Sequence, residues 1–184
     1  DVPPEMRVVE KSVEHAEFAP LLQRWHPNAR FIHIVRNPYA TLVASRNTNW
    51  SKHYPYIGIY LESMQNSYYH MFRNRELLTN YMEIRYEDLV ADVSGAMSCI
   101  AKFLEITEDP ILQRPTLLGE PWGGNSSSNQ KFSTVSSAPS EKWKASIEDL
   151  EILHINRCLR PVFEEFGYEC LSPRHHPLRQ KYIP

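Results

Sequence analysis

The chain has 184 residues, 42% hydrophobic and 23% charged, an ordinary balance for one globular domain that can bury roughly 70% of its unfolded surface. Its net charge of -2 gives no global basic field of the kind that holds nucleic acid, so any anion site has to be local. Three cysteines, Cys99, Cys158 and Cys170, are too few and too far apart for a CxxC zinc site or a disulfide framework, though two could pair, and no apolar run is long enough to cross a bilayer.

The chain opens on Asp1, and a β-rich run, Met6-Arg7-Val8-Val9, follows a short Pro-containing lead. That reads as a fragment entered part-way through a fold, with any targeting segment outside it. The first strand is expected at Met6 to Val9, ending in Glu10-Lys11-Ser12. An amphipathic helix should follow from about His15 to Trp25, with Phe18, Leu21, Leu22 and Trp25 on its apolar stripe. Pro20 falls inside that span and either kinks the helix or starts it. After Pro27-Asn28 the run Phe31-Ile32-His33-Ile34-Val35 has the character of a buried parallel strand. Strand, helix and strand within about thirty residues form the βαβ pattern of a parallel sheet with a right-handed crossover.

The second strand stops at Arg36-Asn37-Pro38, where Asn37 can cap a helix and Pro38 suits its first position. That helix should run through Ala40, Thr41, Leu42, Val43 and Ala44 to Ser45. A strand end leading into a helix N-terminus, with an arginine at the junction, brings backbone N–H groups, a positive dipole end and a forked guanidinium together, and phosphate suits that corner. The alternative is that Arg36 salt-bridges a neighbour and the corner is scaffold.

A polar, aromatic segment from Asn47 to Tyr56 carries Trp50, His53 and Tyr54. A long helix follows from Ile57 to about Leu78, with Tyr60 or Leu61, Met64, Tyr68, Met71 and Phe72 facing inward. Tyr81 to Arg85 alternates as a strand, Tyr86-Glu87-Asp88 leads on, and a helix is expected from Leu89 to Leu104, weakened by Gly95. From Thr107 to Ser140 periodicity gives way to Pro, Gly, Ser and Asn. A loop of this length either folds over a ligand or is a surface excursion; flanking structure favours the former. The last helix should span about Ser146 to Phe166, bent near Pro161 and closed by Gly167. Leu171 to Pro184 is a Pro-rich basic tail.

No GxxxxGK[ST], GxGxxG or HExxH is present, which removes the ordinary P-loop NTPase, Rossmann and zincin readings of these residues. RFIHIVRNPYATLVAS, residues 30–45, instead resembles the 3′-phosphate-binding segment of sulfotransferases that use 3′-phosphoadenosine 5′-phosphosulfate (PAPS). There an Arg after a strand and a Ser in the next helix hold the 3′-phosphate. The family Ser usually lies eight residues after the Arg, whereas Ser45 lies nine after Arg36, and one helical position turns a side chain by about 100°. Glu10-Lys11-Ser12 is similar to the place where Golgi-type sulfotransferases carry a lysine near the transferred group; read alone, Lys11 is equally a solvated strand-end charge. Arg85-Tyr86-Glu87-Asp88-Leu89 resembles the segment whose Tyr contacts the nucleotide, although Tyr86 alone could simply be half-buried. Ser127 and Lys142, fifteen residues apart, resemble the pair that closes over the nucleotide in tyrosylprotein sulfotransferases. Phe166-Gly167-Tyr168-Glu169 is similar to a common family ending, and taken alone is an ordinary glycine-capped helix end.

The resemblance implies one α/β domain over residues 1–184 with a P-loop-NTPase-like sulfotransferase fold, a parallel sheet flanked by helices and N-terminally incomplete. Residues 107–142 would cover the ligand, and the 5′-phosphosulfate loop would lie on an earlier strand and helix. The implied reaction moves a sulfuryl group from PAPS to a hydroxyl or amine without a metal. Arg36 and Ser45 would hold the 3′-phosphate, Tyr86 the adenosine side, Ser127 and Lys142 the lid, and Lys11 the leaving charge. Glu14, His15 and His53 are base candidates by position. The implied partners are the nucleotide and an acceptor, whether carbohydrate, protein or small molecule, and the compartment is cytoplasm or Golgi lumen. The rival readings are a nucleotide-binding module without transfer activity, and an interaction domain using the aromatic residues from Trp50 to Tyr60.

Overall fold

The structure, a computed structural model, describes residues 7–13, 15–47, 57–117, 120–123, 135 and 138–174. Glu14, His53 and Ser127, most of the Trp50 to Tyr60 segment and the tail from 175 onward lie outside these residues. The element order is α1 (His15–Trp25), β1 (Phe31–Val35), α2 (Pro38–Arg46), α3 (Ile57–Leu77), β2 (Tyr81–Arg85), α4 (Tyr86–Ala91), α5 (Val93–Leu104), a 3₁₀ turn (Pro110–Gln113), a short pair β3 (Thr116–Leu117) and β4 (Glu120–Pro121), a 3₁₀ segment (Ala138–Ala145), and α6 (Asp149–Phe166).

Among the described residues β1 and β2 form a parallel pair in register from Phe31 opposite Tyr81 to Val35 opposite Arg85. The expected first strand is corrected over its described part: Arg7, Val8 and Val9 join no β-ladder among the described residues, and Val8 and Val9 are 74% and 88% exposed. A β-rich run becomes a strand only when a neighbour takes its N–H and C=O groups. This segment is held instead by the Arg7 guanidinium, which donates to the carbonyls of Leu104 and Glu105 at the end of α5. The apolar stripe of α1 is likewise turned outward, with Phe18 and Trp25 exposed and Ala19 alone buried. Small Ala19 permits close approach to α3, where the Asn74 side-chain amide donates to the Ala16 carbonyl at 2.6 Å.

The core gathers where α2, α3 and α6 meet the sheet. Tyr39, Leu42 and Val43 of α2 pack with Met64, Tyr68 and Met71 of α3 and Ile155, Leu159 and Phe163 of α6. Tyr39 is completely enclosed: its ring lies 4.9 Å from that of Phe163 and 5.3 Å from that of Trp143. Its hydroxyl donates to Asn156 Oδ1 and accepts from Leu171 N–H. Burial, the larger influence, pushes that phenol up to about 12, so it stays a donor throughout the working range.

The helix expected after β2 is divided in two, whereas the bend and the glycine cap of α6 are as expected. The helix expected from Leu89 begins at Tyr86 and breaks at Asp92, whose φ of -135° and ψ of 81° are non-helical. The Asp92 carboxylate accepts from Gly95 N–H at 2.9 Å and caps α5. A Cβ at position 95 would require that carboxylate to shift, so the glycine that weakens the pattern leaves room for the cap as it stands. In α6 the backbone leaves helical geometry at Leu159, just before Pro161, because a proline ring clashes with the carbonyl one turn back. Glu148 and Glu151 form a capping box at its start, and Gly167 closes it at φ 65°.

Candidate active site

Two strand ends meet at the carboxyl edge of the β1–β2 pair. The register that sets Val35 beside Arg85 carries Arg36 and Tyr86 forward as neighbours on adjacent strand exits. The Arg36 guanidinium stands 4.7 Å from the centre of the Tyr86 ring, within cation–π range. Its Nε is buried without a hydrogen-bond partner. Arg30, Arg46, Arg75 and Arg85 each have a carboxylate, but among the described residues none pairs with Arg36. A polar atom that is buried and unmatched is costly unless another species satisfies it.

The helix after Arg36 is capped as its sequence indicates. Asn37 Oδ1 accepts from Tyr39 N–H at 3.0 Å, and Pro38 sits at the first position. Part of the backbone donor set expected to help grip an anion there is already engaged. Pro38 has no N–H, Tyr39 N–H is taken by Asn37, and Asn37 N–H donates to Glu87 Oε1 at 3.0 Å. A carboxylate thus stands near the helix's positive end, beside the Arg36 guanidinium.

Glu87 was not singled out by the sequence reading, although it sits in the first turn of α4 beside Tyr86. Its other oxygen, Oε2, accepts from the Tyr168 hydroxyl at 2.8 Å. Tyr168 follows Gly167, and the Arg85 guanidinium lies 4.7 Å from its ring. From α3 the Tyr68 hydroxyl donates to the Arg36 carbonyl at 2.8 Å. Burial first, and the Glu87 charge second, push the Tyr68 phenol up; burial does the same for Tyr168. Both remain protonated donors near neutrality.

Ser45 lies near the far end of α2, which is continuous from Pro38 to Arg46. The one-residue offset is therefore not absorbed by a helix break, and Ser45 falls on the Thr41 face rather than that of Ala44. Lys142 lies in the 3₁₀ segment brought against α2 by Trp143, whose indole stacks on Tyr39; it is exposed at the edge of that contact. Lys11 is exposed in the segment that precedes α1. Arg36 and Tyr86 are thus in direct contact, while Ser45 lies near the far end of the helix that leaves Arg36 and Lys142 lies in the segment packed against that helix.

The model of a sulfotransferase family matches residues 2–110, more than half the chain. The chain belongs to the sulfotransferase family. Among solved structures, the sulfotransferase domain from the curacin biosynthetic pathway superposes with a TM-score of 0.72 at 19% identity, covering 91% of this chain. The present chain spans 65% of the length of that domain. No curated protein sequence matches. Arg36 and Tyr86 follow the carboxyl ends of the two parallel strands, the edge at which α/β folds in general bind ligands.

Proposed function

We propose that the protein transfers a sulfuryl group from PAPS to a hydroxyl or amine and that the Arg36 corner holds the 3′-phosphate of the nucleotide. The observation that carries this is the Arg36 guanidinium held over Tyr86 with no carboxylate partner among the described residues and a buried, unmatched Nε. A doubly charged phosphate ester supplies the acceptors that such a fork lacks. Tyr86 lies on the adenosine side, Ser45 and Lys142 flank the phosphate, Ser127 joins Lys142 in closing over the nucleotide, and Lys11 steadies charge on the leaving group.

In the reaction the sulfur–oxygen bond to the 5′-phosphate breaks as the acceptor oxygen or nitrogen bonds to sulfur. The acceptor proton passes to a base, and adenosine 3′,5′-bisphosphate leaves. Positioned cations and hydrogen-bond donors can stabilise the charge that develops on the phosphate without a metal. The acceptor is a hydroxyl- or amine-bearing carbohydrate, protein or small molecule.

Titration calorimetry of the full-length protein with adenosine 3′,5′-bisphosphate tests the reading. Binding is expected in the wild type and is lost in Arg36→Ala with the circular-dichroism spectrum unchanged. Equal affinity in that variant would overturn it. Binding without transfer from PAPS to any acceptor would leave a nucleotide-binding module instead.

A further inference from the structure

Arg36 C=O and Asn37 N–H are the two poles of one peptide group, and a different element holds each. Tyr68 of α3 donates to the carbonyl at 2.8 Å, and Glu87 of α4 accepts from the N–H at 3.0 Å. A planar peptide gripped at both poles cannot rotate without breaking a bond, and its plane constrains how Arg36 leaves the strand. Glu87 is held in turn through its second oxygen by the Tyr168 hydroxyl at 2.8 Å. The aromatic support of Arg36, Tyr86, adjoins Glu87, so one helical turn carries both the platform beneath the guanidinium and the clamp on its backbone.

Building on the 3′-phosphate reading, we infer that Glu87 is a positioning residue for Arg36 and that Tyr168 is the latch that holds Glu87 in place. Glu87 does not touch the phosphate: its charge would repel one, and both of its oxygens are already engaged. Its action runs through the backbone, by fixing the strand exit so that the guanidinium stays over Tyr86. Tyr168 thereby joins the end of α6 to the sheet edge. The glycine-capped ending that reads locally as a helix stop delivers a hydroxyl to the site.

The test uses the full-length protein, with Glu87→Ala, Glu87→Gln and Tyr168→Phe compared with wild type. Calorimetry against adenosine 3′,5′-bisphosphate and adenosine 5′-monophosphate gives the preference attributable to the 3′-phosphate, and thermal melts report folding. Glu87→Ala and Tyr168→Phe are expected to reduce that preference about tenfold, the scale of one hydrogen bond to a charged group. Glu87→Gln should keep it, since the amide has the same shape, accepts from Asn37 N–H and can donate to the Tyr168 oxygen. An unchanged preference in Glu87→Ala and Tyr168→Phe, with or without a lower melting temperature, overturns the inference by making the pair a matter of stability alone. A wild type with no preference for the bisphosphate instead sinks the underlying 3′-phosphate assignment, an outcome distinct from failure of the latch.

Discussion

Trp143 stacks on Tyr39 with ring centroids 5.3 Å apart and planes inclined by 26°, and this contact seats the segment bearing Lys142 against the helix that leaves Arg36. Trp143 is 7% exposed and Tyr39 is fully enclosed, so the pair joins the core to the site. Removing the indole should cost about 3–5 kcal/mol, as for other buried Trp→Ala changes. Trp143→Ala is expected to lower the urea midpoint and weaken nucleotide binding together. Lys142→Ala should weaken binding with the midpoint unchanged. If Lys142→Ala bound the bisphosphate as wild type does, its proposed lid role would be wrong.

The Arg36–Tyr86 stack predicts an order among conservative variants. Lysine has the charge of arginine but neither the fork nor the flat face that stacks on a ring. Arg36→Lys should therefore bind adenosine 3′,5′-bisphosphate more weakly than wild type and more tightly than Arg36→Ala. Tyr86→Phe retains the ring and should lose little; Tyr86→Ala should lose about 1 kcal/mol from the cation–π contact alone. Calorimetric affinities ranked otherwise would show that the guanidinium's shape is unimportant.

His33 faces Glu83 across the β1–β2 register. Burial is the dominant influence and holds the imidazole below its usual value of 6.5, with the Glu83 charge opposing more weakly. The unfolded chain therefore binds this proton more readily than the folded one, and the stability associated with neutral His33 is present above about pH 6.5 and lost as pH falls through the lowered folded value. Melting curves from pH 8 to 5 should decline more steeply for wild type than for His33→Gln. Parallel curves would remove His33 from the pH response.

Gly167 ends α6 at φ 65° with open space around the position of a Cβ. The penalty for a side chain there is therefore backbone strain rather than collision. Gly167→Ala should lower unfolding free energy by about 1 kcal/mol, measured by urea titration. A neutral result would mean that the left-handed cap relaxes without cost.

Much of this architecture was legible locally. Phe31 to Val35 and Tyr81 to Arg85 are strands as their patterns indicate, Asn37-Pro38 begins a helix, and Leu61, Met64, Tyr68 and Met71 line its successor's buried side. These features follow from backbone preferences, capping groups and periodicity, which act over a few residues. The family resemblance was legible in the same way, since it rests on contiguous runs such as RFIHIVRNP and RYEDL.

Tertiary packing decided what short-range pattern could not. It left Val8, Val9, Phe18 and Trp25 exposed, because an apolar run says that a partner is needed without saying which one. It engaged the Asn37 N–H with Glu87, next to the Asn37 cap on Tyr39 N–H, so that a carboxylate stands beside the corner where Arg36 leaves the strand. Above all it brought Tyr68, Glu87 and Tyr168 around the peptide after Arg36. Those three lie on separate elements, and their meeting depends on how α3, α4 and α6 stack against one sheet edge, a property of the packed whole that no stretch of the chain encodes by itself.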